Sequence, residues 1–302
     1  MKHNINFAKF FKKFNLISIA LTLISLLLIS IKGLNYGIDF KGGTLLEIRL
    51  DNKDTKISSI RDSLSNLNLG DINVKNFGEA GDFIIKIEKK VENDKNVIST
   101  IKTSLDQNLN QETNLRRVES VGPKVSEELL KSGLISIGLA LLMMLIYIWF
   151  RFEWQFSLGS IVALFHDVFI TIGIFSLLSI EINLSIVAAV LTIVGYSMND
   201  TVVIYDRIRE NLSKYNKIEI DQIANMSVNE TLSRTLITSM TTLLALFSIF
   251  IIGGEILKGF SFAMILGVII GTYSSIFVAS PILRYLKVSS KTLEKKEENI
   301  VP

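Results

Sequence analysis

An aspartate inside an apolar segment is the residue of this chain whose position most needs a chemical explanation. Asp200 lies in the stretch 184–211, LSIVAAVLTIVGYSMNDTVVIYDRIREN, which is otherwise suited to crossing a membrane. An ionised carboxylate in a bilayer costs at least about 2.5 kcal/mol on insertion scales. A carboxyl group that takes up and releases a proton there can carry protons. Alternatively, Asp200 caps the helix or pairs with Arg207 or Arg209 near the interface.

His166 and Asp167 form a second polar pair within an apolar run. We expect them near the middle of the membrane, because they follow Trp154 by about three helical turns. Successive residues lie about 100° apart around a helix, so the two side chains should point in different directions. We therefore expect His166 to form a helix-packing hydrogen bond, and we leave open whether Asp167 takes part directly in proton movement.

Arg234 opens a later apolar run and is a candidate partner of Asp200. It is followed by a polar patch that could line a water-filled path, made of Thr235, Thr238, Ser239 and Thr241. A cation that approaches Asp200 would favour its charged form, and withdrawal of the cation would favour protonation. The alternative is that Arg234 is only a positive anchor at the cytoplasmic side.

The composition indicates a polytopic membrane protein. Of the 302 residues, 49% are hydrophobic, which is too apolar for an ordinary soluble domain. The chain has no cysteine and only two histidines, so a cysteine-ligated metal site is excluded. We expect no metal and no other cofactor. The proton is the expected coupling ion, and Na⁺ is the open alternative.

Six apolar runs position these residues, and each is long enough to span a hydrocarbon core of roughly 30 Å as a helix. The predicted spans are 14–31, 133–150, 156–180, 182–205, 235–252 and 259–283. The first follows four lysines as a signal peptide would, but no small-x-small cleavage pattern follows it. We therefore interpret it as a retained transmembrane helix.

Lysine and arginine residues collect on one side of these spans. They cluster in the N-terminal tail 1–13, in the loop 206–234 and in the C-terminal tail 284–302. The positive-inside rule places these segments, with both termini, in the cytoplasm. Residues 32–132 then form an external domain between the first two spans.

The external domain has the pattern of an α+β fold. Residues 44–50, TLLEIRL, alternate as a half-buried strand does, and apolar residues recur at helical spacing over 57–67. Strands at 72–74 and 83–87, a helix over 97–105 and a last strand at 115–121 complete a βαββαβ order, which is the ferredoxin-like arrangement. The domain shows no catalytic set, so we do not expect an enzyme.

Gly122 and Pro123 join this domain to the second span. Proline is favoured in the first turn of a helix, so the helix should begin outside the membrane and run into it. Either this is a plain helix start, or Gly122 is a hinge that couples the two parts.

Two small-residue faces predict helix packing. In the fourth span, small and polar residues recur at spacings of three and four, while Ile186, Val190, Ile193 and Ile204 are expected to face lipid. The packing stripe consists of Ser185, Ala188, Ala189, Thr192, Gly195, Tyr196, Asn199 and Asp200. In the sixth span, Gly267 and Gly271 form a GxxxG pattern.

Several motifs resemble the SecF branch of the SecD/SecF family of protein-export membrane proteins. They are GIDFKGGT at 37–44, ESVGPKVSEEL at 119–129, RFEWQFSLGSIVALFHDVFITIGIFSL at 151–177, VGYSMNDTVVIYDRIREN at 194–211 and RTLITSMTTL at 234–243. The similarity covers nearly the whole chain. It implies that Asp200 is the proton-responsive acid, supported by Asn199, and that Arg234 is the residue coupled to it.

The resemblance also implies a setting. Members of the family pair with SecD in an arrangement related to RND transporters and associate with the SecYEG channel in the inner membrane, with or without other Sec accessory subunits. They use the proton gradient to help draw unfolded exported chains across after or alongside SecA action. Nucleic acid is not an expected partner.

The leading hypothesis is therefore a proton-driven motor for protein export. Three other functions are alternatives to it. The first is a passive scaffold that stabilises the Sec complex. The second is an intramembrane aspartyl protease built from Asp167 and Asp200, although the sequence lacks the GxGD pattern. The third is a stand-alone small-molecule exporter, of which six spans and one small external domain would be only half.

Overall fold

The computed structural model describes residues 5–67, 69–87, 95–215, 218–290 and 292. Contacts divide the chain into two compact units. The α+β unit comprises Tyr36–Leu134 together with Glu181–Leu184. The helical unit comprises the rest of the described chain.

The helical character of a polytopic membrane protein is confirmed. Within the described residues, six helical segments are long and apolar enough to cross a membrane. They are α1 (Ala8–Lys32), α5 (Pro123–Arg151), α6 (Trp154–Leu178), α7 (Leu184–Lys214), α8 (Ile220–Ile252) and the segment Gly254–Tyr285. The last consists of α9 (Gly254–Ser274), a π-helical stretch (Ser275–Ala279) and α10 (Ser280–Tyr285).

The segment 206–234, predicted as a loop, is largely helical. Helix α7 continues to Lys214 and α8 begins at Ile220. Charged side chains on the last turns of α7 pair at helical spacing, since Glu210 forms ion pairs with Arg207 and Lys214. Such pairs stabilise the exposed side of the helix. On its other side Ile208 and Leu212 are buried in the core of the helical unit.

Helices α6, α7 and α9 form the interior of the helical unit. In α6, in α7 and in the last span, half or more of an apolar stretch of 18 residues is buried. In α1, α5 and α8 only 11–17% of such a stretch is buried. Phe152, Phe156 and Tyr205 are completely buried at one end of this core. The hydroxyl of Tyr205 donates to the carbonyl of Ala279 at 2.8 Å, where the π-helical stretch ends.

The prediction that four branched residues of α7 face lipid is wrong. Ile186, Val190, Ile193 and Ile204 are at most 2% exposed. Their side chains fill space inside the unit, as where Ile193 lies against Gly267 of α9. Members of the small and polar stripe are instead exposed, namely Ala188, Thr192 and Asn199. The chain thus turns the branched face of α7 inward and leaves part of the stripe uncovered.

The α+β unit contains a four-stranded antiparallel sheet in the order β3-β4-β2-β5. Its strands are β2 (Gly43–Leu50), β3 (Ile72–Asn76), β4 (Asp82–Ile87) and β5 (Thr113–Val121), and its helices are α3 (Ile57–Leu64) and α4 (Lys95–Leu109). Leu46, Ile48 and Leu50 are at most 2% exposed, as the alternation of β2 predicts.

Three short elements complete the α+β unit. Strand β1 (Asn35–Tyr36) pairs with β6 (Glu181–Ile182), and α2 (Ile38–Lys41) lies between β1 and β2. Helix α5 begins at Pro123, so Gly122 is the single residue between β5 and that helix. Ser126 ties the first turn of α5 to Gly122, because its hydroxyl donates to the Gly122 carbonyl at 2.8 Å.

Candidate functional site

The carboxyl group of Asp200 lies where α7, α8 and α9 meet. Asp200 is 3% exposed, and the hydroxyl groups of Ser239 on α8 and Thr272 on α9 lie beside its carboxyl group. These two hydroxyls hydrogen-bond to each other at 2.7 Å. Among the described residues, the Oδ2 atom of Asp200 has no hydrogen-bond partner. The site therefore holds a buried carboxyl group that lies beside two hydroxyl groups and has one oxygen without a hydrogen bond from the described residues.

Arg234 is near Asp200 without touching it. Its charge acts on the Asp200 carboxyl group, yet no ion pair within 4.0 Å joins them among the described side chains. Arg234 is exposed and lines a cavity of about 310 Å³ in the helical unit. The cavity is otherwise lined by Arg151, Val202, Val203, Asp206, Arg207, Glu210 and Thr231. In this structure the guanidinium group of Arg234 is therefore apart from the carboxyl group of Asp200.

Asp167 holds three helices together. Its Oδ2 atom accepts hydrogen bonds from Ser197 on α7 at 2.5 Å and from Ser274 on α9 at 2.8 Å. The residue itself is on α6 and is 0% exposed. Unlike Asp200, it has both oxygens engaged, so its carboxyl group ties α6 to α7 and α9.

The expectation that His166 and Asp167 point in different directions is wrong. The Nδ1 atom of His166 lies 2.8 Å from the Oδ1 atom of Asp167, so the ring reaches around the helix to its neighbour. The same ring stacks on Tyr273 at a centroid distance of 6.1 Å, and this contact holds it in that orientation. Within the described chain, Nε2 of His166 has no hydrogen-bond partner.

The glycines of the predicted packing faces differ in their surroundings. A Cβ atom built at Gly267 would lie 2.3 Å from Ile193 Cγ1, and one at Gly271 would lie 2.9 Å from Ser197 Cβ. Both glycines let α9 approach α7 closely. At Gly195, no atom of the described residues lies within 4 Å of such a Cβ. The described residues therefore leave α7 open at Gly195.

Ser197, Thr272 and Ser274 complete the polar interior, and sequence reasoning missed all three. Ser197 precedes Asp200 by one turn of α7, and this spacing is the signal that could have identified it. Thr272 and Ser274 lie just after Gly271, in a helix whose GxxxG pattern drew attention only to packing. The described residues bring Asp200, Arg234 and Asp167 into one helical unit, while Gly122 and Pro123 lie in the α+β unit.

Comparison with known proteins identifies the family. The family described as "Protein export membrane protein SecD/SecF, C-terminal" matches residues 100–289, which include Asp167, Asp200 and Arg234. The chain belongs to the SecD/SecF family. The SecD/SecF GG motif also matches, over residues 27–54. The resemblance predicted from the motifs is thereby confirmed.

Relatives within the SecD/SecF family align over nearly the whole chain. The protein translocase subunit SecF of Rickettsia rickettsii (strain Sheila Smith) is 44% identical over 298 residues, covering 97% of this chain and 96% of the relative. That of Rickettsia prowazekii (strain Madrid E) is 46% identical over 283 residues, covering 93% and 91%.

Solved structures of SecDF share the fold. The crystal structure of SecDF from Thermus thermophilus, a translocon-associated membrane protein, matches with a TM-score of 0.85 and 33% identity. This match covers 94% of the present chain and 38% of the SecDF chain. SecDF in a super-membrane-facing form matches with a TM-score of 0.67 and 30% identity, covering 98% and 40%. The chain thus spans about two fifths of the SecDF chains that it matches.

Proposed function

We propose that this protein is the SecF-like subunit of a SecD–SecF pair that uses the proton motive force to help move exported proteins across the inner membrane. It acts after or alongside SecA and the SecYEG channel. The observation that carries the proposal is the carboxyl group of Asp200. This residue is 3% exposed between three helices, and one of its carboxyl oxygens has no hydrogen-bond partner in the part of the chain that the structure describes. A buried acid of this kind inside a transmembrane bundle suits proton transfer.

Protonation of Asp200 is the step that converts the gradient into movement. It removes the charge that attracts Arg234, so α7 and α8 have different preferred packings in the two protonation states. One elementary charge that crosses 100 mV releases about 2.3 kcal/mol. That energy shifts a two-state equilibrium by about fiftyfold. The cavity beside Arg234 gives this side chain room to move.

SecD is the proposed partner in the membrane. Ala188, Thr192 and Asn199 on α7 are exposed beside Gly195, where no described atom approaches. Small and polar residues allow close helix contact and gain little from lipid. The match to two fifths of SecDF supports a partner that supplies the remaining part. We infer that this stripe packs against SecD.

The α+β unit is the proposed external domain. Its βαββαβ element order and antiparallel β3-β4-β2-β5 sheet support the ferredoxin-like class. We place it in the periplasm, with both termini in the cytoplasm, and infer that it meets the unfolded translocating polypeptide near SecYEG. Gly122 and Pro123, at the start of α5, are a proposed hinge between it and the membrane. No enzymatic activity and no cofactor other than protons are part of this proposal.

Replacing Asp200 with Asn tests the proposal in membrane vesicles that contain SecD, SecYEG and SecA. We expect the Asp200→Asn complex to assemble and to lose the stimulation of export by a proton gradient. Asp221→Asn is a matched control, since Asp221 is in the first turn of α8 and pairs with Arg284 instead. A passive scaffold would tolerate both substitutions equally, and that result would contradict the proposed function.

A further inference from the structure

The first backbone amide of α7 is capped by a residue far away in the sequence. The amide of Leu184 donates to the Oδ2 atom of Asp39 at 2.9 Å. Leu184 is the first residue of α7, and Asp39 lies in the short helix α2. The first amides of a helix lack partners within it, and a carboxylate there also interacts favourably with the helix dipole. Asp39 therefore stabilises the start of the helix that carries Asp200.

Two further contacts hold the same segment, residues 181–184. The amide of Gly37 donates to the carbonyl of Ile182 at 2.9 Å. The ammonium group of Lys86, on β4, forms an ion pair with Glu181. There is no spare room beside Gly37, because a Cβ atom built there would lie 2.6 Å from Glu181 Oε1. Contacts accordingly group Glu181–Leu184 with the α+β unit.

Helix α7 is able to carry a displacement along its length. It is one uninterrupted α-helix from Leu184 to Lys214, and no proline breaks it. At 1.5 Å per residue, Asp200 lies about 24 Å along the axis from Leu184. A shift of the helix at Asp200 therefore also moves its first turn.

We propose that Asp39, with Gly37 and Lys86, forms a clamp that fastens the start of α7 to α2 and β4, and that this clamp transmits the shift of α7 into the α+β unit. The clamp is a second connection, separate from Gly122 and Pro123. Asp39 is a positioning residue in this account, because it acts on the proton-driven step through α7. The proposal rests on the proposed function for the origin of the shift, whereas the clamp itself rests on the contacts of Asp39, Gly37 and Lys86.

The first test separates the cap from its charge, using gradient-dependent export in vesicles that contain SecD and SecYEG. Asparagine caps a helix about as well as aspartate, whereas alanine does not. We expect Asp39→Ala to lower the gradient-dependent stimulation by about fivefold, which is the effect of losing one N-cap. Asp39→Asn should retain most of it. Copurification with SecD shows that each variant has assembled.

The second test closes the clamp with a covalent bond. The chain has no cysteine, and a Cβ atom built at Gly37 lies 3.4 Å from Asn183 Cβ, close to the Cβ separation of about 3.5–4.5 Å in disulfides. The pair Gly37→Cys and Asn183→Cys should therefore crosslink on oxidation once the end of Glu181 moves aside. We expect the crosslink to restore stimulation in the Asp39→Ala background and a reductant to remove the rescue. Each single cysteine variant is a control without a crosslink.

Several outcomes would overturn the clamp. They are full stimulation in Asp39→Ala, no rescue by a crosslink shown to have formed, failure of the two cysteines to crosslink, and loss of stimulation when the crosslink is made in the otherwise unchanged chain. Asp200→Asn is measured in parallel. If it loses stimulation while Asp39→Ala keeps it, only the clamp is wrong. If both keep it, the proposed function is wrong, and hydrogen exchange of the Leu184 amide still tests the cap.

Discussion

Ser197 donates a hydrogen bond of 2.5 Å to the Oδ2 atom of Asp167, one turn before Asp200 on α7. The bond joins the helix of the candidate proton site to α6. Ser274 of α9 donates to the same oxygen at 2.8 Å. Asp167 thus sets how α7 lies against α6 and α9, whereas one carboxyl oxygen of Asp200 has no hydrogen-bond partner among the described residues.

Asp167→Ala should destabilise the helical unit strongly, because it leaves the hydroxyls of Ser197 and Ser274 and the ring of His166 without their acceptor. The expected loss in the free energy of unfolding is about 1–3 kcal/mol. Ser197→Ala removes one donor only and should cost about 0.6 kcal/mol, an average for hydrogen bonds between membrane helices. Denaturant unfolding of the purified complex in detergent measures both. Equal, small losses would contradict the anchoring role of Asp167.

Gly267→Ala should also destabilise the packing of α9 against α7, since the new Cβ would lie 2.3 Å from Ile193. Overpacking of this kind costs about 1–3 kcal/mol. Combining Gly267→Ala with Ile193→Ala should recover part of the loss, and the thermal midpoint of the complex is the measurement. If the second substitution only adds to the damage, the two residues are not in the close contact described.

Gly195→Leu tests the exposed stripe of α7. No described atom lies within 4 Å of a Cβ at this position, so the substitution should leave the chain itself as stable as before. It should, however, reduce copurification with SecD, because a leucine keeps a partner helix from approaching closely. Ile237→Ala is a matched control at an exposed apolar position of α8, where the side chain is 62% exposed. Undiminished SecD binding by Gly195→Leu would place the partner elsewhere.

The Arg49–Asp82 pair predicts an acid dependence of the α+β unit. Arg49 donates to both oxygens of Asp82, each at 2.5 Å, and these hydrogen bonds hold the pKa of Asp82 below its usual value. Because the unfolded pKa is about 3.9, the pair stabilises the fold above that pH, and its contribution is lost as the pH falls through the lower folded pKa. Hydrogen exchange of β2 and β4 amides, corrected for intrinsic rates, should show this loss in the full chain. Asp82→Asn should remove this pH dependence of the exchange rates. If the variant keeps the same pH dependence, the Arg49–Asp82 pair is not its cause.

The sequence predicted local features well and long-range ones poorly. Hydrophobic periodicity indicated the membrane spans and the strands β2 to β5, because both depend on which residues must be buried. Hydrophobic periodicity gave the wrong buried face for α7. Ile193 on one face is apolar and the stripe around Gly195 on the other is small, so either face could pack against another helix. The folded structure shows that Ile193 meets α9, whereas Ala188, Thr192 and Asn199 of the stripe are exposed. The bond between Asp39 and Leu184 joins residues 145 apart, so no local spacing could indicate it.

Proton movement through reconstituted SecD complexes tests the central claim about Asp200 most directly. Proteoliposomes that contain the complex and an internal pH-sensitive dye are subjected to an acid jump, and proton entry is followed under a membrane potential. The account predicts that Asp200→Asn reduces proton entry to the level of empty liposomes, while Asp221→Asn matches the unmodified complex. Equal proton entry in the Asp200→Asn complex and the unmodified complex would contradict the account.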